Sequence, residues 1–370
     1  MTTQVSLRVG YDARMAIGAY RGMGRFLRQA ISVEGPEFIG LCAKGESDST
    51  LETHPGGFRF FPLWEQVSIP RRAGKLHLDC FLAPYNTAPL FLPPGLRLVV
   101  VIHDLIFMEP FSRIPASTSL YQNLGRVYRR FVVPRAAAKV DRIITVSEFS
   151  KREICSRLRV PTDRVVIIPC SIVESWYVDK PLPSSERGNY MLTVGGEAPS
   201  KNLSRAIESY SRAMAISGSR DDFPAFWVGG VSEAAQPQIA KEAQRRSVFD
   251  KVRLLPSLPL SELQSIYRKA RLVFVPSLQE GFGIPLLEAM ASGTPAVSSN
   301  ATSLPEVGGA APLYVNPLDP TNMAQGLLRM LNNPRLQTSA AESGLQQAKI
   351  FQDAPSVSFN AFWSEMAASN

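Results

Sequence analysis

From Arg271 to Gly293 the chain reads RLVFVPSLQEGFGIPLLEAMASG: an apolar run, a loop bearing Glu280, Gly281, Phe282 and Gly283, then a helix opened by Pro285 and closed by Gly293. In an open parallel sheet, ligands gather at the carboxyl ends of the strands, where loops lead into helix N-termini carrying free N–H groups and partial positive charge. Glycines at 281 and 283 allow the backbone to approach a ligand closely. The helix dipole favours a phosphate there, each anion contact contributing roughly 0.3 to 2 kcal/mol. With Pro285 as the first helical residue, Glu280 stays on the loop and Glu288 falls one turn into the helix. The loop carboxylate can meet a sugar and the helical one the hydroxyls of a ribose. Two acids at a helix start equally suit simple stabilisation of the dipole, and the residues alone leave both uses open.

A second stretch has the same order of parts. Tyr190 to Asn202, YMLTVGGEAPSKN, is a strand, the glycine pair Gly195 and Gly196, a loop, and Lys201 just ahead of a helix starting near Asn202. A lysine there is a point charge suited to a phosphate, or else a solvated surface cation. His103 ends the apolar run before Asp104 and Leu105; it is one of three histidines, and it fits either a buried core position or a group orienting hydroxyls near a sugar. Ser147, Glu148 and Ser150, in SEFSK, read as a helix N-terminus and not as chemistry.

The span Glu280 to Glu288, with the PLLEAMASGTPAVSS that overlaps and follows it and SLPEVGG at Ser303 to Gly309, resembles the E-x7-E segment of a large family of retaining GT-B glycosyltransferases. That family, glycosyltransferase family 4 or glycosyl transferases group 1, includes many bacterial mannosyltransferases. Similar stretches occur in the family's order at Gly10 to Gln29 (GYDARMAIGAYRGMGRFLRQ), Val101 to Phe107 (VIHDLIF), Ile144 to Ile154 (ITVSEFSKREI), Gly195 to Asn202 (GGEAPSKN) and Leu260 to Ser277 (LSELQSIYRKARLVFVPS).

The resemblance implies that Glu280 contacts the donor sugar, and that Gly281, Phe282 and Gly283 surround that sugar and the diphosphate. By the same token Glu288 would hold the ribose, Lys201 neutralise the leaving diphosphate beside the Gly195–Gly196 turn, His103 sit near the transferred sugar, and Gly22 and Gly24 approach the donor phosphates. It further implies transfer with retention, without a metal or cofactor other than the nucleotide-sugar co-substrate. The expected donor is GDP-mannose, with a rhamnose-type 6-deoxy sugar or another hexose on a different nucleotide as the rival. The expected acceptor is a lipid-linked saccharide of lipopolysaccharide O-antigen or exopolysaccharide assembly, in the cytoplasm at the inner membrane face. The chain departs from the pattern where a second cation is usual, placing Gly196 and Ser200 there, and at the hinge, where Pro169, Cys170 and Ser171 replace a Pro-Asn-Gly turn. The diphosphate would then be held by Lys201, by helix N-termini and by some other arginine such as Arg25. A non-catalytic glycan-binding or scaffold subunit on the same fold is the alternative of another class.

The elements that must position these residues follow from alternation. Short β-rich runs alternate with helical patterns, the mark of βα units around parallel sheets. Strands are expected at Val5–Asp12, Phe38–Lys44, Phe58–Leu63, Leu78–Pro84, Leu98–His103, Arg142–Ser147 and Val165–Pro169, and then at Tyr190–Gly195, Ala225–Gly229, Val252–Pro256, Leu272–Pro276, Pro295–Ser299 and Leu313–Asn316. Helices are expected at Leu260–Arg271, capped by Ser261, at Ser119–Val140 around Pro134, and near Asp353–Met366. Two Rossmann-like domains facing across a cleft result: 1–172 for the acceptor, a linker at 173–188, 189–350 for the nucleotide sugar, and a C-terminal helix at 351–370 packing back on the first.

A length of 370 residues suits two cores better than one. Four scattered cysteines suggest neither zinc nor disulfides, and no run is long and apolar enough to span a bilayer. The formal charge is +8, and all of the excess lies before residue 181, densest from Arg126 to Arg164. That asymmetry suggests contact with an anionic membrane surface or merely a solvated helix face. No nucleic-acid module accompanies it. Gly18, Gly22 and Gly24 have the wrong spacing for the dinucleotide fingerprint of an oxidoreductase.

Overall fold

A computed structural model of the chain describes residues 7–18, 22–116 and 119–368. Val5 and Ser6 at the head of the first expected strand, and Ala19 to Arg21 of the first family-like segment, lie outside the described residues. The chain forms two units, one made of Met1–Glu109, Ser119–Ser171 and Asp353–Asn370, the other of Pro110–Thr118 and Ile172–Gln352.

The first unit is built on a seven-stranded, wholly parallel sheet. Its strands are β1 (Arg8–Asp12), β2 (Glu37–Cys42), β3 (Thr53–Pro55), β4 (Cys80–Ala83), β5 (Arg97–Val101), β6 (Arg142–Thr145) and β7 (Val165–Ile167), in the order β3-β2-β1-β4-β5-β6-β7. Central strands such as RLVVV and RIIT are rich in β-branched residues because both faces are covered by helices. The helices are α1 (Gly22–Ala30), α2 (Phe61–Leu63), α3 (Ile69–Lys75), α4 (Leu120–Ala137) and α5 (Glu148–Leu158), with a π-helical turn, Trp64–Ser68, joining α2 to α3. The Ser147 side chain caps α5 by accepting from the Ser150 N–H.

One strand falls elsewhere than expected. Phe58–Leu63 is not a strand: Pro62 stands in the first turn of α2, where its missing N–H costs nothing, whereas in a ladder it would delete a bond. The sheet edge is instead the short THP of β3, pairing Gly40 with Thr53 and Cys42 with Pro55, too brief and polar to show an alternation.

The second unit carries a six-stranded parallel sheet. Its strands are β8 (Tyr190–Val194), β9 (Ala225–Gly229), β10 (Val252–Leu255), β11 (Leu272–Val275), β12 (Ala296–Ser299) and β13 (Leu313–Val315), ordered β10-β9-β8-β11-β12-β13. Seven helices accompany it among the described residues: α6 (Leu203–Ser217), α7 (Gln236–Arg245), α8 (Leu260–Lys269), α9 (Ile284–Ala291), α10 (Leu304–Gly308), α11 (Pro320–Leu331) and α12 (Pro334–Lys349). Helix α8 starts at Leu260 as expected and ends two residues early, at Lys269, but Pro259 takes the cap position and Ser261 lies within the first turn. The stretch 173–188 holds two 3-10 turns and buries Trp176 edge-on against Tyr267, ring centroids 5.1 Å apart. In each sheet the strand order reverses once, between β1 and β4 and between β8 and β11, and the carboxyl ends at these switch points are where ligands bind in such sheets.

The last helix, α13 (Ala354–Ala368), belongs to the first unit. Its buried Phe359, Phe362, Trp363 and Met366 lie against that unit's core. Phe359 meets Phe26 at 5.2 Å between ring centroids and Trp363 meets Phe38 at 5.5 Å, while the Trp363 indole N–H donates to the Ala30 carbonyl at 3.0 Å. Because that ring is fully buried and hydrogen-bonded, Trp363→Ala is expected to lower the unfolding free energy by about 3 to 5 kcal/mol, read as a shift in the urea midpoint.

Candidate functional site

Lys201 and Glu280, 79 residues apart in sequence, form an ion pair with Nζ 2.6 Å from Oε1. Two turns of the second unit bring them together. After β8, a 3-10 turn, Pro199–Lys201, carries the lysine, and Asn202 in left-handed backbone follows it. The Asn202 side-chain amide donates to the carbonyls of Pro276 (3.0 Å) and Pro317 (2.7 Å), and the Leu278 N–H donates to the Ser200 carbonyl (2.8 Å), tying this turn to the loop after β11. Gly195, at φ +141°, is held so closely that a Cβ there would lie 2.8 Å from the lysine's Cδ, so glycine is what allows the lysine stem its path.

The loop after β11 is equally fixed. The Ser277 hydroxyl donates to Glu280 Oε1 at 2.7 Å, and the Glu280 N–H donates to Thr302 Oγ1 at 3.2 Å. The Ser303 hydroxyl lies within donating distance of the carbonyls of Glu280 (3.1 Å) and Phe282 (2.9 Å). Gly283 enters α9 at φ +110°, and a Cβ there would meet Leu304 at 2.7 Å. Glu280 ends up buried with its charge compensated by a lysine that keeps a fifth of its side chain exposed. Glu288, also buried, stands on α9 near Tyr267, whose phenol is driven well above its usual range by burial first and the Glu288 charge second. The glycines at 281 and 283, Phe282 and Glu288 thus flank the start of α9, whose first N–H groups lack intrahelical acceptors.

His103, Gly22 and Gly24 belong to the first unit. Gly22 and Gly24 lie in the first turn of α1, Gly24 buried and Gly22 exposed, with Arg25 beside them. His103 follows β5: its backbone N–H donates to Asn86 Oδ1 at 2.6 Å, its carbonyl accepts from Ser150 Oγ at 3.1 Å, and the edge of its ring meets Phe26 at 5.0 Å. Burial pushes its imidazole down to about 4, opposed by a hydrogen bond to the Pro84 carbonyl, so the ring is neutral at physiological pH. Nε2 is buried without a partner among the described residues, an acceptor left for a hydroxyl.

Sequence reasoning passed over the acids at the same edge of the first sheet. Asp12, at the end of β1, accepts from the Trp64 indole N–H at 3.0 Å and from the Arg14 N–H at 3.1 Å. Glu65, on the π-helical turn, accepts from Tyr128 Oη (2.5 Å), Gln66 Nε2 (2.8 Å) and Thr87 Oγ1 (3.0 Å). Burial raises Asp12 to about 6 and Glu65 to about 7. Asp12 lies in the family-like segment Gly10–Gln29 with no role assigned to it, and Glu65 lies in none. Asn202, Ser277 and Ser303 likewise stand in family-like segments with no role assigned, and Thr302 stands in none. Among the described residues, no group of three or more His, Cys, Asp and Glu side chains could hold a metal.

Two parallel sheets of this order, each with polar groups gathered at the carboxyl ends next to its switch point, define an α/β protein of the GT-B type. The family models described as Glycosyl transferases group 1 and Glycosyltransferase Family 4 match residues 176–347 and 49–175 respectively. O-antigen chain mannosyltransferase B of Escherichia coli is 32% identical over 299 residues, covering 76% of this chain and 74% of that one. O-antigen chain mannosyltransferase RfbU of Salmonella typhimurium is 28% identical over 273 residues, 74% of this chain and 70% of that one. The solved sucrose-phosphate synthase of Thermosynechococcus elongatus shares the fold at a TM-score of 0.74 and 16% identity, over 98% of this chain and 100% of that one. The chain therefore belongs to the glycosyltransferases of family 4, glycosyl transferases group 1.

The Glu65 carboxyl, raised in the folded state, binds a proton that the unfolded chain releases near pH 4.5, so its stabilisation is complete below that value and is lost as pH rises to about 7. Glu65→Gln is expected to flatten the fall in unfolding free energy across this window, by up to about 3 kcal/mol, measured by urea unfolding at pH 5 and pH 8.

Proposed function

We propose that the chain transfers mannose from GDP-mannose, with retention at the anomeric carbon and without a metal, to a lipid-linked saccharide in O-antigen or exopolysaccharide assembly. The observation that carries the proposal is the Lys201–Glu280 pair ahead of α9, a cation and a carboxylate held at the carboxyl ends of β8 and β11. The names of the two enterobacterial relatives supply the choice of sugar and pathway.

In the proposed reaction the bond from the anomeric carbon to the diphosphate breaks with both electrons leaving on the phosphate oxygen. The acceptor oxygen bonds to that carbon on the same face, and its proton passes to the departing phosphate. Charge grows on the diphosphate as the sugar becomes oxocarbenium-like. Lys201 offsets that charge, helped by the N–H groups that open α9 and by the dipole behind them. Glu280, its Oε1 fixed by Lys201 and Ser277, holds sugar hydroxyls, and on the same-face course that the family resemblance implies it is not a nucleophile. Glu288 binds the ribose, and the bare Nε2 of His103 accepts from a hydroxyl of the transferred sugar.

The test is thermal stabilisation and slow donor hydrolysis over GDP-, UDP-, dTDP- and ADP-sugars, with wild type and Glu280→Ala in parallel. GDP-mannose is expected to stabilise and to be cleaved, in the presence of a chelator as well. Glu280→Ala is expected to stay folded and to lose about 100-fold or more in rate. Tight binding of UDP without GDP would sink the donor assignment, and inertness to every donor, with a lipid acceptor supplied, would leave a glycan-binding subunit. His103→Ala is expected to lower the transfer rate while leaving GDP binding unchanged.

A further inference from the structure

The first half of helix α4 is built inside out, while its second half buries Val132, Val133, Ala136 and Ala137. Its buried side carries Arg126, and the guanidinium groups of Arg126 and Arg130 donate to the carbonyls of Phe107 and Glu109. Its outward side carries Leu120, Tyr121, Leu124, Val127 and Phe131, between 55% and 80% exposed. The spacing 120, 124, 127, 131 lays four of them along one stripe, the position that a helix facing only water fills with charge. A continuous exposed apolar face of this kind marks a contact surface.

Charge says what covers it. From Ser119 to Val140 there is no Asp or Glu. At the far end of the stripe the Arg135 guanidinium lies 3.7 Å from the ring centroid of Phe131, and Lys139 Nζ lies 4.7 Å from that of Phe91, itself 72% exposed. Apolar side chains bordered by cations whose stems lie along exposed rings form the pattern of a helix seated in a bilayer interface, its side chains among the acyl chains and its cations at lipid phosphates. Other arginines of the basic stretch are spent internally, Arg142 on Glu365 and Arg157 on Glu109 and Glu153.

We propose that the outward face of α4 docks the first unit on a bilayer surface bearing anionic headgroups, Leu124, Val127 and Phe131 entering the acyl boundary and Arg135 and Lys139 meeting the phosphates. No described helix is long and apolar enough to cross a membrane, so the attachment is to one surface.

The test is co-sedimentation of the full chain with vesicles of phosphatidylcholine alone or mixed in equal parts with phosphatidylglycerol, without sugar nucleotide or acceptor, so that failure here is distinct from failure of the donor assignment. Wild type is expected to bind the mixed vesicles at least about tenfold more tightly than the neutral ones. Leu124→Ser/Phe131→Ser is expected to lose that binding with unchanged circular dichroism and thermal midpoint. A Phe131→Trp variant is expected to shift its emission to the blue on the mixed vesicles. Absence of wild-type binding, or equal binding by the double variant, overturns the proposal. So does a wild-type dimer in sedimentation equilibrium that the double variant abolishes while neither binds vesicles, which would assign the stripe to a second copy of the chain.

Discussion

Everything at the carboxyl edge of the second unit's sheet hangs on a lysine and a glutamate that must be held within a hydrogen bond of each other. A carboxylate as buried as Glu280 is costly without a positive partner, and a lysine drawn from a different βα connection can reach it only if both loops are fixed. The parallel sheet sets the two loops side by side because β8 and β11 are neighbours. Asn202, bridging the carbonyls of Pro276 and Pro317, then removes the remaining freedom. What would otherwise be two flexible turns becomes one surface, with Glu280 four residues ahead of the first residue of α9.

The first unit solves a different problem at the equivalent edge of its sheet. There the polar groups are two acids whose ionisation burial delays to higher pH and a histidine that burial keeps neutral. Asp12 and Glu65 accept from neutral donors, the Trp64 indole N–H and the Thr87 hydroxyl, and the His103 backbone N–H donates to the Asn86 side-chain oxygen. One edge is thus arranged around a compensated ion pair and the other around side chains held by neutral partners.

Much of this was legible beforehand, for reasons that differ by residue. Glu280, Lys201 and the glycines around them sit in unbroken strand–loop–helix patterns whose punctuation, Pro285 and Gly293 above all, fixes their place in the fold. Two Rossmann-like units follow from the alternation of apolar runs with helical periods. The edge strand was misplaced because Thr53–Pro55 has no alternation to see, and an apolar run containing Pro62 looked more strand-like than it is. Glu65 and Thr302 were invisible because they owe their role to partners far away in sequence, Tyr128 and Thr87 for the one and Glu280 for the other, whereas Ser277, only three residues from Glu280, shows its role once the loop is folded back on itself. The orientation of α4 was hidden too: composition reported its arginines but not that Arg126 points inward and Leu124 outward.

The return of α13 to the first unit bears on how the chain is made. The Trp363 indole finds its acceptor on Ala30, 333 residues earlier, and Phe26 and Phe38 are covered by side chains of the same late helix. On a ribosome adding roughly 5 to 20 residues per second, the first sheet waits on the order of 10 to 40 seconds, through synthesis of the whole second unit, before its last layer exists. During that interval its aromatic flank is open to the solvent or to a chaperone, and the final fifteen residues of α13 act as the clasp that ends the first unit's folding only after the second is complete.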